Sequence, residues 1–256
     1  MKAKEIIAVM EKHFPLSLQE EWDKCGLQIG QVETEVSKIM IALNADLQTI
    51  ALNADNETLQ ACIENNCQML ITHHPFLLDP IVNIDQDDFM GAFIFKAIEH
   101  HIVVYSSHTA LDNVSMNQWL IEALGVHDIQ RGEDQITRMA TLNHPMTMDD
   151  FLDHVQTTYH LKHFQYAGQV DQVSRIAICG GSGADFMHQF YGKADAYLTG
   201  DTKYRHAKNA VDHHMLLIDI HHHAENIMVR KLKELLEKEV NVEIIEGSSP
   251  DYYHYR

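Results

Sequence analysis

Short apolar runs, each ending in a cluster of polar residues, constrain this chain most. Six runs rich in β-branched residues, Lys38–Leu43, Gln68–Thr72, Ile102–Ser106, Arg175–Cys179, Ala196–Thr199 and Met215–Ile220, alternate with stretches of helical periodicity. Helical patterns fall at Gln48–Asn65, Asp88–His100, Ser115–Leu124, Met148–Tyr159, His206–Asp212 and Ala224–Glu239. In the last of these Met228, Leu232, Leu235 and Leu236 share one face, opposite Lys and Glu. This alternation predicts an α/β protein with layered sheets flanked by helices.

Two of the apolar runs open alike. "VSKIMIA" at 36–42 resembles "VSRIAIC" at 173–179. Each half then has a short strand ending in threonine, "LITHHP" and "YLTGD". Each closes on a histidine followed four residues later by an acid, "HTALDN" at 108–113 and "HHHAEN" at 221–226. The repeat divides the chain into two related halves, 1–126 and 127–256, and puts both His/acid clusters at equivalent strand ends. In open α/β sheets ligands bind outside the carboxyl ends of strands.

Composition narrows the function classes. No run approaches the roughly 18–20 apolar residues of a membrane span. The N-terminal "MKAKEIIAVMEKHF" carries charge throughout and reads as an amphipathic helix, not a signal peptide, so a cytoplasmic protein is expected. Cys25, Cys62, Cys67 and Cys179 are scattered without a CxxC pair and are read as free thiols. A formal charge of -18 repels phosphate backbones and suits a protein that gathers divalent cations.

Three clusters carry the candidate chemistry. Side chains alternate across a strand, so His73 and His74 cannot face one ion while the strand stays regular. Pro75 ends the ladder and lets the chain turn both rings into one cleft. Asp112 has two readings, a helix N-cap and an oxygen ligand beside imidazoles. Glu225 lies four residues after His221 and three after His222; either spacing puts the pair on one helical face. The repeat favours His221, with His222 as the alternative. His73, His74, Asp112, His221 and a bridging Glu225 make five donors. That is too many for one tetrahedral zinc with an open position and suits two divalent ions (zinc, iron, manganese or nickel) sharing a carboxylate and a water.

Weaker features lie nearby. "CGGSG" at 179–183 is a tight strand-to-helix turn with backbone N–H groups able to cradle an anion. In "GDTKYRH" at 200–206, Asp201 is either a cap or a part of the site.

Together these residues resemble the GTP cyclohydrolase I type 2 homologue family, also called the NIF-three-like family. "EEWDKCGLQIG" at 20–30 resembles its E-x-W-D-N-x-G-L-x-x-G element, with Lys24 in place of asparagine. "ITHHPFL", "SSHTALDN", "TGDTKYRHA" and "IDIHHHAE" resemble its T-H-H-P, H-T-x-x-D, T-G-D-x-x-Y-H-x-A and D-x-G-H-x-x-x-E elements, and "SSPDYYHY" its tail. Arg205 stands where the fourth element has histidine, and Ile220 where the fifth has glycine. The resemblance implies two related α/β halves with a dimetal site between them, held by His73, His74, Asp112, His221 and Glu225. It also implies a homo-oligomer, a toroidal hexamer built as a trimer of dimers, and at this length no insert domain. The activity it implies is metal-dependent hydrolysis of a cyclic amidine C–N bond in a nucleotide-like substrate, GTP being the named candidate, with His108 orienting water or shuttling a proton. The alternative is a non-catalytic metal-binding ring scaffold or regulatory protein.

Overall fold

The computed structural model describes residues 1–45, 58–248, 251 and 253. Its strands are β1 (Gly26–Ile29), β2 (Lys38–Ala42), β3 (Met69–Thr72), β4 (Val103–Ser106), β5 (Val126–Arg131), β6 (Arg138–Thr147), β7 (Gln165–Ala167), β8 (Gln172–Ile178), β9 (Ala196–Thr199), β10 (Leu216–Asp219) and β11 (Glu243–Glu246). The helices are α1 (Ala3–His13), α2 (Thr58–Glu64), α3 (Phe89–Glu99), α4 (Thr109–Leu111), α5 (Asn117–Glu122), α6 (Met148–Thr158), α7 (Tyr204–Asp212) and α8 (Ile227–Leu236). Residues 48–57 of the expected helix Gln48–Asn65 lie outside the described residues, as does most of the "SSPDYYHY" tail.

Two compact units form, but not by a cut at 126/127. The first comprises Met1–Leu111 and returns with the segment from Met228 through β11; the second is built on Asp112–Ile227. The return is fixed by β11, which adds to the first sheet parallel to β2 with Ile244 opposite Ile39 and Ile245 opposite Met40. The apolar face of α8 (Met228, Val229, Leu232, Leu236) is buried. A linear repeat cannot reveal that the last strand pairs with the second.

The first sheet runs in the order β1-β4-β3-β2-β11. Its centre is parallel, with Ala42 opposite Thr72 and Thr72 opposite Ser106, so β2, β3 and β4 end level with one another. Strand β1 is the antiparallel edge on β4. Met40, Leu70 and Val104 pack with Leu59 and Cys62 of α2 and Phe93 and Ala97 of α3. All four residues of β3 and of β4 are buried, which is why both read as continuous apolar runs.

The second sheet has the order β5-β6-β8-β9-β10-β7. Here β8, β9 and β10 are parallel neighbours and β7 is the antiparallel edge on β10. Both units thus contain three consecutive parallel strands with a short antiparallel strand beyond the third, which is the repeat expected from the sequence. Strands β1, β5, β6, β7 and β11 carry no continuous apolar run. The burial of β6 alternates only over its first half, and its pairing with β8 is interrupted between Thr141 and Met146.

Four helices end on a left-handed residue, Asn66 after α2, His101 after α3, His160 after α6 and His214 after α7, with φ of 55–56°. Glycine commonly fills that place. Among the described residues, no helix is long and apolar enough to cross a membrane.

Candidate metal centre

His73 and His74 follow β3 directly, and their backbone N–H groups both donate to the Leu43 carbonyl at 3.2 and 3.1 Å. The hydroxyls of Thr72 and Ser106 donate to the His74 carbonyl. The strand is therefore broken at the doublet and held in its turn, as Pro75 suggests. Their ring centroids lie 4.8 Å apart. His108, after β4, joins them at 5.1 and 5.3 Å. One ring nitrogen from each of the three lies within 4.8 Å of the others.

Each ring is fixed from behind. His73 Nδ1 donates to the Ser107 carbonyl (3.2 Å), His74 Nδ1 to Asn44 Oδ1 (2.6 Å) and His108 Nδ1 to Asp23 Oδ1 (3.0 Å). A proton on Nδ1 leaves Nε2 as the basic atom, the tautomer and outer contact typical of metal-binding histidines. These rings fit a divalent metal by that chemistry.

The sequence elements contain Asp23 without disclosing its role. Its carboxylate, 2% exposed, accepts from His108, from the backbone and hydroxyl of Thr109, from the Lys24 backbone (2.7 Å) and from Cys25 Sγ (3.1 Å). Burial opposes its charge, but the hydrogen bonds from His108 and Thr109 outweigh burial and hold Asp23 well below the usual carboxylate range. Burial pushes the Cys25 thiol up to about 12, keeping it a donor. Since position 24 contributes its backbone N–H here, lysine in place of asparagine leaves this contact intact. Trp22 stands edge-on to His108, with ring centroids 5.7 Å apart, and remains 57% exposed.

In the second unit, Asp112 is not an N-cap. It opens a π-helical turn, Asp112–Met116, inside a helical run from Thr109 to Glu122. Glu225, 4% exposed, lies in the 3₁₀ turn His222–Asn226 after β10. A carboxylate oxygen of Asp112 and one of Glu225 come within 4.8 Å.

Of the two histidines that spacing offered as partners of Glu225, His222 is the one whose ring meets its carboxylate. His222 Nε2 lies 3.2 Å from Glu225 Oε2, and its Nδ1 lies 2.7 Å from Asp201 Oδ2. His221 instead turns its Nε2 to the His163 carbonyl at 2.6 Å. The cause is local: His221 has φ 63°, the left-handed region that favours glycine. The position whose backbone favours glycine is thus His221, not Ile220. The Glu225 carboxylate outweighs burial and, with Asp201, raises the His222 imidazole to about 9.

Asp201 also belongs to this cluster and caps nothing: Ser182 Oγ donates to it at 2.5 Å. The N-terminus of α7 is closed by His206, whose Nδ1 accepts from the Lys203 backbone while its Nε2 meets Asp185. Arg205 pairs with the same Asp185 at 2.9 and 3.0 Å. In "CGGSG" the glycines make room. A Cβ on Gly181, at φ 57°, would lie 2.5 Å from Glu225 Oε1.

The Duf34/NIF3 (NGG1p interacting factor 3) family model matches residues 1–251. The chain belongs to this family. A Clostridium acetobutylicum relative named "GTP cyclohydrolase 1 type 2 homolog" is 31% identical over 255 residues, covering 93% of this chain and 92% of its own. A Clostridium perfringens relative of the same name is 28% identical with full coverage of both. Among solved structures, reduced HcgD from Methanocaldococcus jannaschii superposes with TM-score 0.82 at 28% identity, over 96% of this chain and 97% of that one. A Bacillus cereus protein related to NIF3 superposes with TM-score 0.87 at 21% identity, over 100% and 99%, and shows the shared family fold.

Proposed function

We propose that the chain is a dinuclear-metal-dependent hydrolase acting on a nucleotide-like substrate, with GTP, named in its relatives, as the first candidate. The observation that carries this reading is the convergence of His73, His74 and His108, each with Nδ1 hydrogen-bonded and one ring nitrogen of each within 4.8 Å of the others, so that His108 stands beside the two imidazole ligands. His73 and His74 supply imidazoles, Asp112 and Glu225 carboxylates, and His222 the last imidazole in place of His221. The carboxylates of Glu225 and Asp201 on either side of the His222 ring make this a place that favours positive charge.

When bound, two divalent ions supply an acidified water and polarise the substrate. Asp23 keeps the His108 proton on Nδ1, which leaves Nε2 to accept a proton from water and return it to the leaving nitrogen. The reaction class is hydrolysis of a cyclic amidine C–N bond. A cytoplasmic location and a hexameric ring form part of the same proposal.

Elemental analysis of chain purified without chelator, followed by a nucleotide screen on metal-loaded protein, tests it. Bound metal that disappears in Asp112→Ala, with ring opening that needs His108, is expected. Absence of metal from the unaltered chain sinks it. The family description names an interacting factor, which supports a second reading. Metal and oligomer without turnover on any nucleotide would favour that non-catalytic role.

A further inference from the structure

Arg138 opens β6 and is 1% exposed, yet among the described residues its guanidinium hydrogen-bonds only backbone carbonyls. Nη1 donates to Gln135 (2.9 Å), Ile136 (2.7 Å) and Thr137 (3.0 Å); Nη2 donates to Asn113 (2.8 Å) and Val114 (3.3 Å). The last two carbonyls belong to the π-turn that begins at Asp112. One planar fork thus ties the β5–β6 turn to the turn that presents Asp112. Burial pulls the guanidinium down to about 10, so it is still charged at neutral pH.

A π-turn holds one residue more than the α-helical turn it replaces and persists where its surroundings fix it. Closing it to regular α-helix would rotate Asp112 by about 100° relative to α5. That helix is independently anchored, because Asn117 Oδ1 accepts from the Gly180 N–H at 2.7 Å in the loop whose glycines make room for Glu225. The π-turn therefore sets where Asp112 points relative to Glu225, and Arg138 grips that turn. By charge alone, a buried cation here opposes a second one. Its contribution must be geometric.

We propose that Arg138 is a positioning residue for Asp112, acting by holding the π-turn open; this rests on the metal-binding reading above. The test measures Mn²⁺ and Zn²⁺ affinity and stoichiometry of the full chain carrying Arg138→Lys or Arg138→Met, with thermal unfolding recorded on the same samples. Loss of the fork is expected to weaken metal binding about 10–100-fold in folded variants, the size typical of outer-shell contacts, with Lys restoring little. Unchanged or tighter binding overturns the proposal, the second being the result of removed charge repulsion. The unaltered chain provides a second measurement independent of how the variants fold. Because the coupling is reciprocal, metal loading should slow hydrogen exchange in 112–118 and 135–138 together; no change at 135–138 overturns it. If the unaltered chain binds neither metal, the metal-binding reading itself fails. Normal binding with unaffected variants removes only the role of Arg138.

Discussion

His222 Nε2 sits 3.2 Å from Glu225 Oε2, three residues along a 3₁₀ turn, while the preceding His221 faces the other way. One backbone angle separates these neighbours: φ of 63° at His221 sends its ring to the His163 carbonyl. Metal titration of the single variants checks the assignment. His221→Ala should bind metal as the unaltered chain does, whereas His222→Ala should lose at least about tenfold in affinity, as expected when a ligand is removed. The reverse order would restore His221 as the ligand.

Gly181 should not tolerate a side chain. Its φ of 57° and the Glu225 oxygen 2.5 Å from a built Cβ work in the same direction. Gly181→Ala is expected to destabilise the chain by about 1–2 kcal/mol from the left-handed backbone alone and to displace Glu225. Urea unfolding joined to metal titration would show both effects; a drop in stability with metal affinity intact would detach the glycine from the site.

The left-handed residue after α7 is His214, where glycine carries no Cβ penalty. His214→Gly should raise stability by up to about 1 kcal/mol, seen as a melting-temperature increase of roughly 2–4 °C for a chain of this size. A lower melting temperature would mean that the imidazole makes a contact worth more than the strain.

Acid should weaken the pairing of α1 with the segment before β2. Lys2 and Lys4 both hydrogen-bond Glu33, at 2.7 and 2.6 Å, and lower its carboxyl to about 2. A depressed carboxyl contributes stability that is complete above its unfolded value of about 4.3 and is lost as pH falls through the folded value. The melting-temperature difference between the unaltered chain and Glu33→Gln should be constant above about pH 5 and vanish near pH 2. Because the pair is exposed, high salt should shrink it at every pH. A difference that grows on acidification would contradict the pairing.

The sequence by itself determined the α/β class, the places of the six strands β2, β3, β4, β8, β9 and β10, and the places of the histidine clusters. Strands such as β3 and β10 are buried on both faces, so their apolar runs are continuous, and their polar ends mark where the sheet stops. The repeat was legible for the same reason. "VSKIMIA" and "VSRIAIC" occupy β2 and β8, each the first of three consecutive parallel strands. His73, His74, His108, Asp112 and Glu225 stood out by spacing and motif, and all five belong to groups close enough to hold an ion.

Tertiary structure decided what depends on backbone angles and on distant pairing. Spacing could not separate His221 from His222, because the left-handed angle that separates them is carried by a histidine instead of the glycine that would announce it. A cap stayed open as one of the two readings of Asp112 because no composition signal marks a π-turn. Asp23 and Arg138 gain their roles only when chain segments 85 and 25 residues away are folded against them. The domain division moved for a similar reason: β11, a short strand with charged ends, finds its partner in β2, and hydrogen bonding across the length of the chain leaves no local periodicity to read.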